Sequence, residues 1–239
     1  MLNILISLVF YFIALCTFII IGPLFVIFSF ILPDVLMYKM SKFVCYITLL
    51  SLGVRIEKRG KVPKNGSLIY MFNHGSFIDP FIFAQCMKGP CTALVAKENY
   101  NYPIWKSMLK KWKAIPINRK NRDEAIKSIE RAQVVINEGF DIIILPEGTR
   151  TITGKMKRFK KGGFHMAYNT KTPIQPVGCT GAFEFKPKNR WTISPRKVIV
   201  NFGDIIMPDT YEALGVDGLI QKTENEIKKL TNRKFEDEE

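Results

Sequence analysis

The sequence begins with a long apolar run. From Met1 to Pro33 no charged side chain occurs, and Ile, Leu, Phe and Val are frequent. A helix needs about 20 apolar residues to cross the hydrocarbon core of a bilayer. The run can therefore cross once, with Pro23 marking a break, or form two shorter helices that enter one leaflet and return. A cleaved signal peptide fits less well, because no basic residue precedes the run and its length exceeds a usual apolar core. We predict a membrane-attaching segment over residues 1–53 and leave its topology open.

The rest of the chain is strongly basic. The sequence contains 35 Lys and Arg residues against 21 Asp and Glu residues, a formal net charge of +14, and almost all of these charges follow residue 50. Anionic headgroups attract such a domain by roughly 1 kcal/mol for each basic residue near the surface. The positive-inside bias then predicts that the domain lies on the cytoplasmic side. No nucleic-acid-binding motif accompanies the charge, so we expect membrane lipids rather than nucleic acid as partners.

Residues that commonly bind metals are few and scattered. The chain has two histidines and five cysteines without paired metal-binding spacing (Cys16, Cys45, Cys86, Cys91 and Cys179). A zinc site needs several such ligands at short spacing. We therefore expect reduced structural thiols and no metal site.

Beyond residue 53, apolar runs of strand character alternate with helical segments. The predicted strands are 54–58, 67–72, 92–96, 114–118, 141–145, 173–178 and 197–202. The predicted helices are 43–52, one that follows Asp79, 103–112, 122–138 and 217–231. This alternation indicates an α/β fold with a mostly parallel central sheet flanked by helices. We assign residues 54–239 to this domain and expect its acidic end, 236–239, to be disordered.

The octapeptide Asn-His-Gly-Ser-Phe-Ile-Asp-Pro at 73–80 directly follows a predicted strand. Asp79 and the proline after it fit the N-cap and first position of a helix, so His74 is expected in the turn before that helix. On a continuous helix, residues five apart point about 140° away from each other. His74 and Asp79 therefore meet only if the chain turns between them, as Gly75 and Ser76 allow. The alternative is that Asp79 is only a cap and His74 a polar loop residue.

Polar groups also follow three other predicted strands: Lys97, Arg119 and the segment Glu147-Gly148-Thr149-Arg150. Open α/β sheets bind ligands outside the carboxyl ends of their strands, so we expect these groups near His74. Imidazole suits general-base catalysis near neutral pH, and the planar Arg side chain matches phosphate oxygens. The set is suited to deprotonating the hydroxyl of a phosphorylated alcohol.

Several of these residues also have a purely structural interpretation. Arg119 lies in a basic run of the kind that is usually solvated, and Glu147 and Arg150 are able to pair within an ordinary turn. Ser76 is interpreted as a turn residue rather than a nucleophile, because the Gly-x-Ser-x-Gly elbow is absent. His165 is most simply a histidine on a helix surface.

Two segments resemble motifs of the glycerolipid acyltransferases, in particular the 1-acylglycerol-3-phosphate acyltransferases. Residues 73–80 resemble the first motif of that family, NHxxxxD. Residues 145–150, Leu-Pro-Glu-Gly-Thr-Arg, resemble its third motif, FPEGTR, with Leu145 in place of the usual Phe.

Two further segments extend the resemblance to about residues 55–205. Residues 114–119 are similar to the second motif, although Asn118 replaces the common Asp and the usual leading Gly is missing. Residues 172–177 resemble the fourth, proline-bearing motif. The order and spacing of the four segments make the resemblance specific.

The resemblance implies a role for each matching residue. His74 is the general base that takes the proton from an acceptor hydroxyl as it attacks an acyl thioester, and Asp79 orients the imidazole. The positions implied to bind the glycerol phosphate of the acceptor are Lys97, Arg119, Glu147, Gly148, Thr149 and Arg150. The resemblance implies no covalent acyl-enzyme and no metal. It also implies no cofactor, because the acyl donor, acyl-CoA or acyl carrier protein, is itself a substrate.

The implied function is that of a membrane-bound 1-acylglycerol-3-phosphate O-acyltransferase. Such an enzyme moves a fatty acyl group to the free hydroxyl of lysophosphatidic acid and gives phosphatidic acid, with acyl chains reaching the site between the N-terminal helices. Open alternatives are the same chemistry on another lysophospholipid, hydrolysis of the thioester, and a non-catalytic module that binds anionic lipid. The sequence does not determine the acyl-chain length, the choice of donor or the oligomeric state.

Overall fold

The strands form one sheet in a computed structural model of the protein. The structure describes residues 2–63, 66–118 and 122–238. Within these residues the strands are β1 (Val54–Arg59), β2 (Ile69–Phe72), β3 (Cys91–Ala96), β4 (Ile115–Ile117), β5 (Asp141–Ile144), β6 (Ile174–Thr180) and β7 (Arg196–Phe202). The helices are α1 (Leu2–Ile31), α2 (Asp34–Ser51), α3 (Asp79–Cys86), α4 (Pro103–Lys111), α5 (Arg122–Asn137), α6 (Gly162–Thr170), α7 (Ala182–Phe185) and α8 (Pro208–Thr231), with a 3₁₀ helix at Lys97–Asn101.

The sheet has the strand order β1-β7-β6-β2-β5-β3-β4. Among the described strands, β6 and β7 pair antiparallel and the other neighbours pair parallel. The parallel pairing of β2, β5, β3 and β4 puts their carboxyl ends at one edge of the sheet, followed by Asn73, Leu145, Lys97 and Asn118. The predicted α/β fold with a mostly parallel sheet flanked by helices is confirmed.

The side chains of β2 divide the core between the two faces of the sheet. Tyr70 and Phe72 pack on the face covered by α1, α2 and α3, whereas Ile69 and Met71 pack on the face covered by α5, α6 and α8. All four side chains are at most 1% exposed. Burying an apolar side chain of this size contributes about 1.5–3 kcal/mol. The loop that carries His74 is therefore attached to a firmly packed central strand.

Helix α1 is a continuous helix of 30 residues that runs through Pro23. The break considered at Pro23, and with it the alternative of two shorter helices on either side of it, is not found, and the chain turns at Leu32 and Pro33. A proline removes one hydrogen bond from a helix. It is nevertheless tolerated inside apolar membrane helices, because neighbouring helices, Ser and Thr side chains and small local adjustments satisfy the freed backbone groups.

The exposed side of α1 is apolar along its length. The helix is long and apolar enough to cross a membrane. Its most apolar window has a mean hydropathy of 2.9, and 6% of that window is buried. The domain contacts α1 near both ends: Ser7 Oγ accepts a hydrogen bond from Ile193 N at 3.0 Å, and Phe25 stacks on Trp112 with 5.7 Å between ring centroids. An apolar surface of this size indicates membrane association. The predicted boundary between a membrane-attaching part, 1–53, and a domain, 54–239, stays a prediction.

Some helices extend beyond their predicted ranges. Helix α2 begins at Asp34 rather than at 43, and α8 begins at Pro208 rather than at 217. Gly215 interrupts α8 with φ 65° and ψ 178°. This interruption explains why helical periodicity is clear only in the second half of α8. The sequence does not predict α7, because four residues contain too little periodicity to identify a helix.

The acidic end of the chain is ordered as far as Glu238, so its predicted disorder is wrong for the described residues, which exclude Glu239. Phe235 is 1% exposed and lies in the core beside α8. Met156, in the loop after β5, exchanges main-chain hydrogen bonds of 2.8 and 2.9 Å with the residues on either side of Phe235. The buried side chain of Phe235 thus anchors the charged residues 236–238, although their composition alone predicts that they are solvated and disordered.

Candidate active site

The loop between β2 and α3 turns so that the imidazole of His74 faces Asp79. His74 Nδ1 and Asp79 Oδ2 are 2.7 Å apart. The same oxygen accepts hydrogen bonds from the N–H groups of Gly75 at 2.9 Å and Ser76 at 3.0 Å. The structure therefore brings His74 and Asp79 together through the predicted turn.

Asp79 is the first residue of α3, and the N-cap position belongs to Ile78. The prediction that Asp79 is the N-cap is wrong, because its hydrogen bonds go to the preceding loop rather than to its own helix. Asp79 is 1% exposed, and three donors around one oxygen compensate for the desolvation of the carboxylate. Its other oxygen, Oδ1, has no hydrogen-bond partner among the described residues. These contacts favour a catalytic pair over a simple helix cap.

The contact with Asp79 also determines which nitrogen of His74 is available. A carboxylate only accepts hydrogen bonds, so Nδ1 carries the proton of the neutral ring and Nε2 keeps an unshared electron pair. The His74 side chain is 19% exposed and lines a large cavity. Nε2 is therefore suited to accept a proton from a hydroxyl bound in that cavity.

Glu147 joins two loops of the site and forms no ion pair with Arg150 in the described structure. Its Oε1 accepts a hydrogen bond from His74 N at 2.7 Å, and its Oε2 accepts one from Lys157 N at 2.9 Å. Burial raises the pKa of Glu147 to about 7, although these two N–H groups act in the opposite direction. Thr151 N donates a further hydrogen bond to His74 O at 3.0 Å. The loop after β5 thus holds the main chain of His74, a role for Glu147 that the sequence does not predict.

Gly148 makes the turn that presents the next two residues. Its φ of 75° lies in the left-handed region, which glycine adopts without strain. Thr149 is exposed and Arg150 is half-buried, while Gly148 lines the same cavity as His74. The predicted segment therefore divides into a buried scaffold residue, Glu147, and accessible groups that are suited to contact a ligand.

Of the other two predicted cations, the structure describes Lys97. Lys97 begins the 3₁₀ helix, and its ammonium pairs with Glu124 Oε1 at 2.8 Å. Its side chain is 55% exposed, so this ammonium is engaged with a carboxylate of α5. Arg119 lies outside the described residues, but Ile117 and Asn118 before it line the cavity.

The cavity beside His74 has a volume of about 1590 Å³ and extends between the sheet and helices α1 to α4. Small-molecule pockets are usually roughly 300–1,000 Å³. At the carboxyl edge of the sheet the cavity contacts Pro146 and Gly148, and it reaches Cys91 at the start of β3, near the opposite edge. Most of its lining residues are apolar. This shape suits a long apolar chain whose reactive end lies at His74.

Lys160 also lines the cavity, although the sequence does not single it out as a site residue. It precedes α6, and its N–H donates to Pro146 O at 2.9 Å. Its position in a Lys-Lys-Gly-Gly segment before a helix is the signal that indicates a cation near the site.

Two of the cysteines, Cys86 and Cys91, lie in surroundings that disfavour a reactive thiolate. All five are free thiols, and burial raises the pKa of Cys86 and of Cys91 to about 12. Both thiols therefore stay protonated near neutral pH and are poor nucleophiles. Among the described residues, no group of three or more His, Cys, Asp and Glu side chains is placed to hold a metal ion.

Known proteins are similar to this chain in sequence. The family model described as Acyltransferase matches residues 53–180, more than half of the chain. A 1-acyl-sn-glycerol-3-phosphate acyltransferase of Cocos nucifera is 33% identical over 162 residues, which cover 67% of this chain and 53% of the relative. A protein of the same name from Borreliella burgdorferi is 30% identical over 194 residues, which cover 79% of this chain and 77% of the relative. The chain spans 53–60% of the length of the plant relatives from Cocos and Limnanthes.

A solved structure shares the fold. The crystal structure of PlsC, the 1-acyl-sn-glycerophosphate acyltransferase of Thermotoga maritima, superposes with a TM-score of 0.78 at 25% sequence identity, and the match covers 95% of this chain and 93% of that one. The matched family region includes the loop of His74 and Asp79 at 73–80 and the segment at 145–150. The chain therefore belongs to the acyltransferase family.

Proposed function

We propose that the protein transfers a fatty acyl group from a thioester to the free hydroxyl of lysophosphatidic acid and so forms phosphatidic acid. The observation that carries this proposal is the His74–Asp79 pair, 2.7 Å apart, at one end of an apolar cavity of about 1590 Å³. The names of the relatives, 1-acyl-sn-glycerol-3-phosphate acyltransferases, support lysophosphatidic acid as the acceptor.

The proposed reaction uses His74 as a general base. Nε2 takes the proton of the acceptor hydroxyl while the hydroxyl oxygen attacks the carbonyl carbon of the thioester. Asp79 keeps Nδ1 protonated and stabilises the imidazolium that forms. The tetrahedral intermediate then expels the thiolate, which takes the proton from Nε2, so an ester and a free thiol result. General-base catalysis of this kind contributes about 10²–10⁴-fold to a rate.

The other predicted residues surround the acceptor in this proposal. The acyl chain lies in the cavity, and the glycerol phosphate lies against the accessible groups at Gly148, Thr149 and Arg150, with Lys97 and Arg119 from the neighbouring strand ends. Glu147 contributes by holding the loop of His74. The reaction needs no cofactor, because acyl-CoA or acyl carrier protein supplies the acyl group as a substrate.

The membrane places the site in contact with its lipid substrates. The apolar side of α1 associates with the bilayer, and the net charge of +14 favours anionic lipids and the cytoplasmic side. The same charge favours a polyanionic donor, coenzyme A or an acidic carrier protein.

The central test measures thiol release from an acyl thioester by the full chain in lipid vesicles, with and without lysophosphatidic acid. We expect release that depends on the acceptor, with phosphatidic acid as product. His74→Ala should abolish turnover but retain lipid binding. His165→Ala, at the exposed second histidine on α6, is the matched control and should leave turnover unchanged.

Other outcomes identify the alternatives. Thiol release without an acceptor indicates a hydrolase and ends the transferase proposal. Unchanged turnover in His74→Ala shows that His74 is not the general base. No turnover at all by the unmodified protein indicates a lipid-binding module. In competition between lysophosphatidic acid and lysophosphatidylcholine, preference for the zwitterionic lipid replaces the proposed acceptor by one with a larger headgroup.

A further inference from the structure

The loop that carries His74 lies between two segments that are distant in sequence. On one side, Thr151 N donates a hydrogen bond to His74 O at 3.0 Å. On the other side, Ser76 Oγ donates a hydrogen bond to Lys186 O at 3.1 Å. Each segment carries a cation, Arg150 in the loop after β5 and Lys186 after α7. Both cations are therefore anchored next to the loop of the general base.

Close packing directs Lys186 toward this loop. A Cβ atom at Gly75 would lie 3.2 Å from Phe183 N, so the loop and the segment of Lys186 touch. Lys186 Nζ lies 5.6 Å from the centre of the Phe77 ring, close to the limit of about 6 Å for a cation–π contact. This contact orients the ammonium without neutralising its charge, three residues after His74.

Neither cation is neutralised within the described structure. No carboxylate of the described residues lies within ion-pair distance of Arg150 or Lys186, whereas Arg233, nearby, pairs with Glu184 Oε1 at 2.7 Å. Glu184, two residues before Lys186, is therefore already engaged by another cation.

The positive charges oppose one another. Burial lowers the pKa of Lys186, and the charges of Arg150 and Arg190 lower it further. Arg190 stays where it is because its guanidinium donates to Glu184 O at 2.8 Å and Phe185 O at 3.0 Å. Like charges that are close, partly buried and unpaired are stabilised when an anion binds between them.

We propose that Lys186 and Arg150 together bind one phosphate monoester of a substrate, which makes Lys186 a substrate-binding residue outside the family motifs. The assignment to a substrate rests on the proposed function. A phosphate monoester carries about two negative charges near neutral pH, which matches two cations. Arg150 offers paired planar donors, and Lys186 offers a compact ammonium. Lysophosphatidic acid contains such a phosphate, and so does the ribose of coenzyme A.

Lys186→Ala tests this site against Lys188→Ala, which removes the same charge from an exposed residue two positions later. Loss of one charge-assisted contact should raise the KM for the substrate that carries the phosphate by about tenfold to a hundredfold. We expect kcat to stay close to that of the unmodified protein, and Lys188→Ala to change neither constant. Lys186→Arg keeps the charge and should restore most of the affinity.

Two donors distinguish the sources of the phosphate. The KM of each substrate is measured with an acyl-CoA and with an acyl thioester of N-acetylcysteamine, which contains no phosphate. A raised KM for lysophosphatidic acid with both donors assigns the site to the acceptor. A raised KM for acyl-CoA, without a change for the phosphate-free thioester, assigns it to coenzyme A. Either result supports a phosphate site at Lys186.

A binding measurement separates this proposal from the proposed reaction. In a His74→Ala background, calorimetry measures the affinity of the full chain for lysophosphatidic acid and for coenzyme A. Weaker binding of either compound on adding Lys186→Ala, but not Lys188→Ala, supports the site even if no turnover is found. Unchanged affinities and unchanged KM values overturn it and leave the proposed reaction intact. A loss confined to binding of anionic vesicles also overturns it, because Lys186 is then a membrane contact.

Discussion

Two buried carboxylates lie at the same edge of the sheet but bind different partners. At the start of α3, Asp79 contacts the imidazole of His74 and two N–H groups of the loop after β2. In the loop after β5, the partners of Glu147 among the described residues are main-chain N–H groups, those of His74 and Lys157. Burial of a carboxylate therefore does not identify a catalytic group. The partner of the carboxylate is the better indicator, because an imidazole is able to accept and release protons and a peptide N–H is not.

Among the variants that test this comparison, we expect the largest effect, a loss of kcat, from Asp79→Asn. The amide oxygen still accepts hydrogen bonds from Gly75 and Ser76, but the side chain no longer stabilises an imidazolium. We expect kcat for acyl transfer to fall by roughly 10³–10⁴-fold, measured as thiol release at saturating lysophosphatidic acid.

Thermal unfolding of the same variant provides the control for Asp79→Asn. The midpoint should change little, because the loop keeps two of its hydrogen bonds. A variant that unfolds readily, or one that keeps full activity, would show that Asp79 is a scaffold residue like Glu147.

Glu147→Gln should show the opposite balance between activity and stability. A glutamine has one acceptor oxygen, so either His74 N or Lys157 N loses its partner and faces an amide donor. Leaving such a buried group unpaired costs about 1–3 kcal/mol of unfolding free energy. We expect kcat to fall far less than in Asp79→Asn, and chemical denaturation measures the loss of stability. Equal stability with a loss of activity as large as that of Asp79→Asn contradicts the scaffold role.

The smallest expected effect is a dependence of stability on pH. Burial raises the pKa of Glu147 from 4.5 to about 7, so the folded protein binds more protons than the unfolded chain between these values. The contribution of Glu147 is fully present below about pH 4.5 and is lost as pH rises through 7. From pH 5 to 7 the unfolding free energy should fall by about 2 kcal/mol through this group.

The difference between the unmodified protein and Glu147→Gln isolates this pH dependence. Burial also raises the pKa of Asp141, to about 6, and its contribution of the same sign cancels because both proteins retain it. Denaturant unfolding at several pH values should therefore give curves that converge as pH rises. Parallel curves would mean that Glu147 is ionised throughout this range.

The sequence predicts the sheet and the contact between His74 and Asp79 because both depend on local signals. Continuous apolar runs identify the central strands, and Gly75 and Ser76 permit the turn that Asp79 requires. The prediction that Asp79 caps its own helix was wrong. The position of Asp79 before Pro80 indicates where a helix starts, but it does not indicate the direction of the Asp79 side chain. Contacts across long sequence separations have no such signal. Neither the proximity of Lys186 to Ser76 nor the burial of Phe235 follows from neighbouring residues, since both depend on how distant segments pack.

The bridge between Met156 and Phe235 joins the loop behind Glu147 to a much later part of the chain. During synthesis, the apolar helices α1 and α2 leave the ribosome before the loop after β5, and residues 234–238 leave it long after the loop that they fix. The nascent protein is therefore able to reach a bilayer before the loop that carries Glu147 is fully supported.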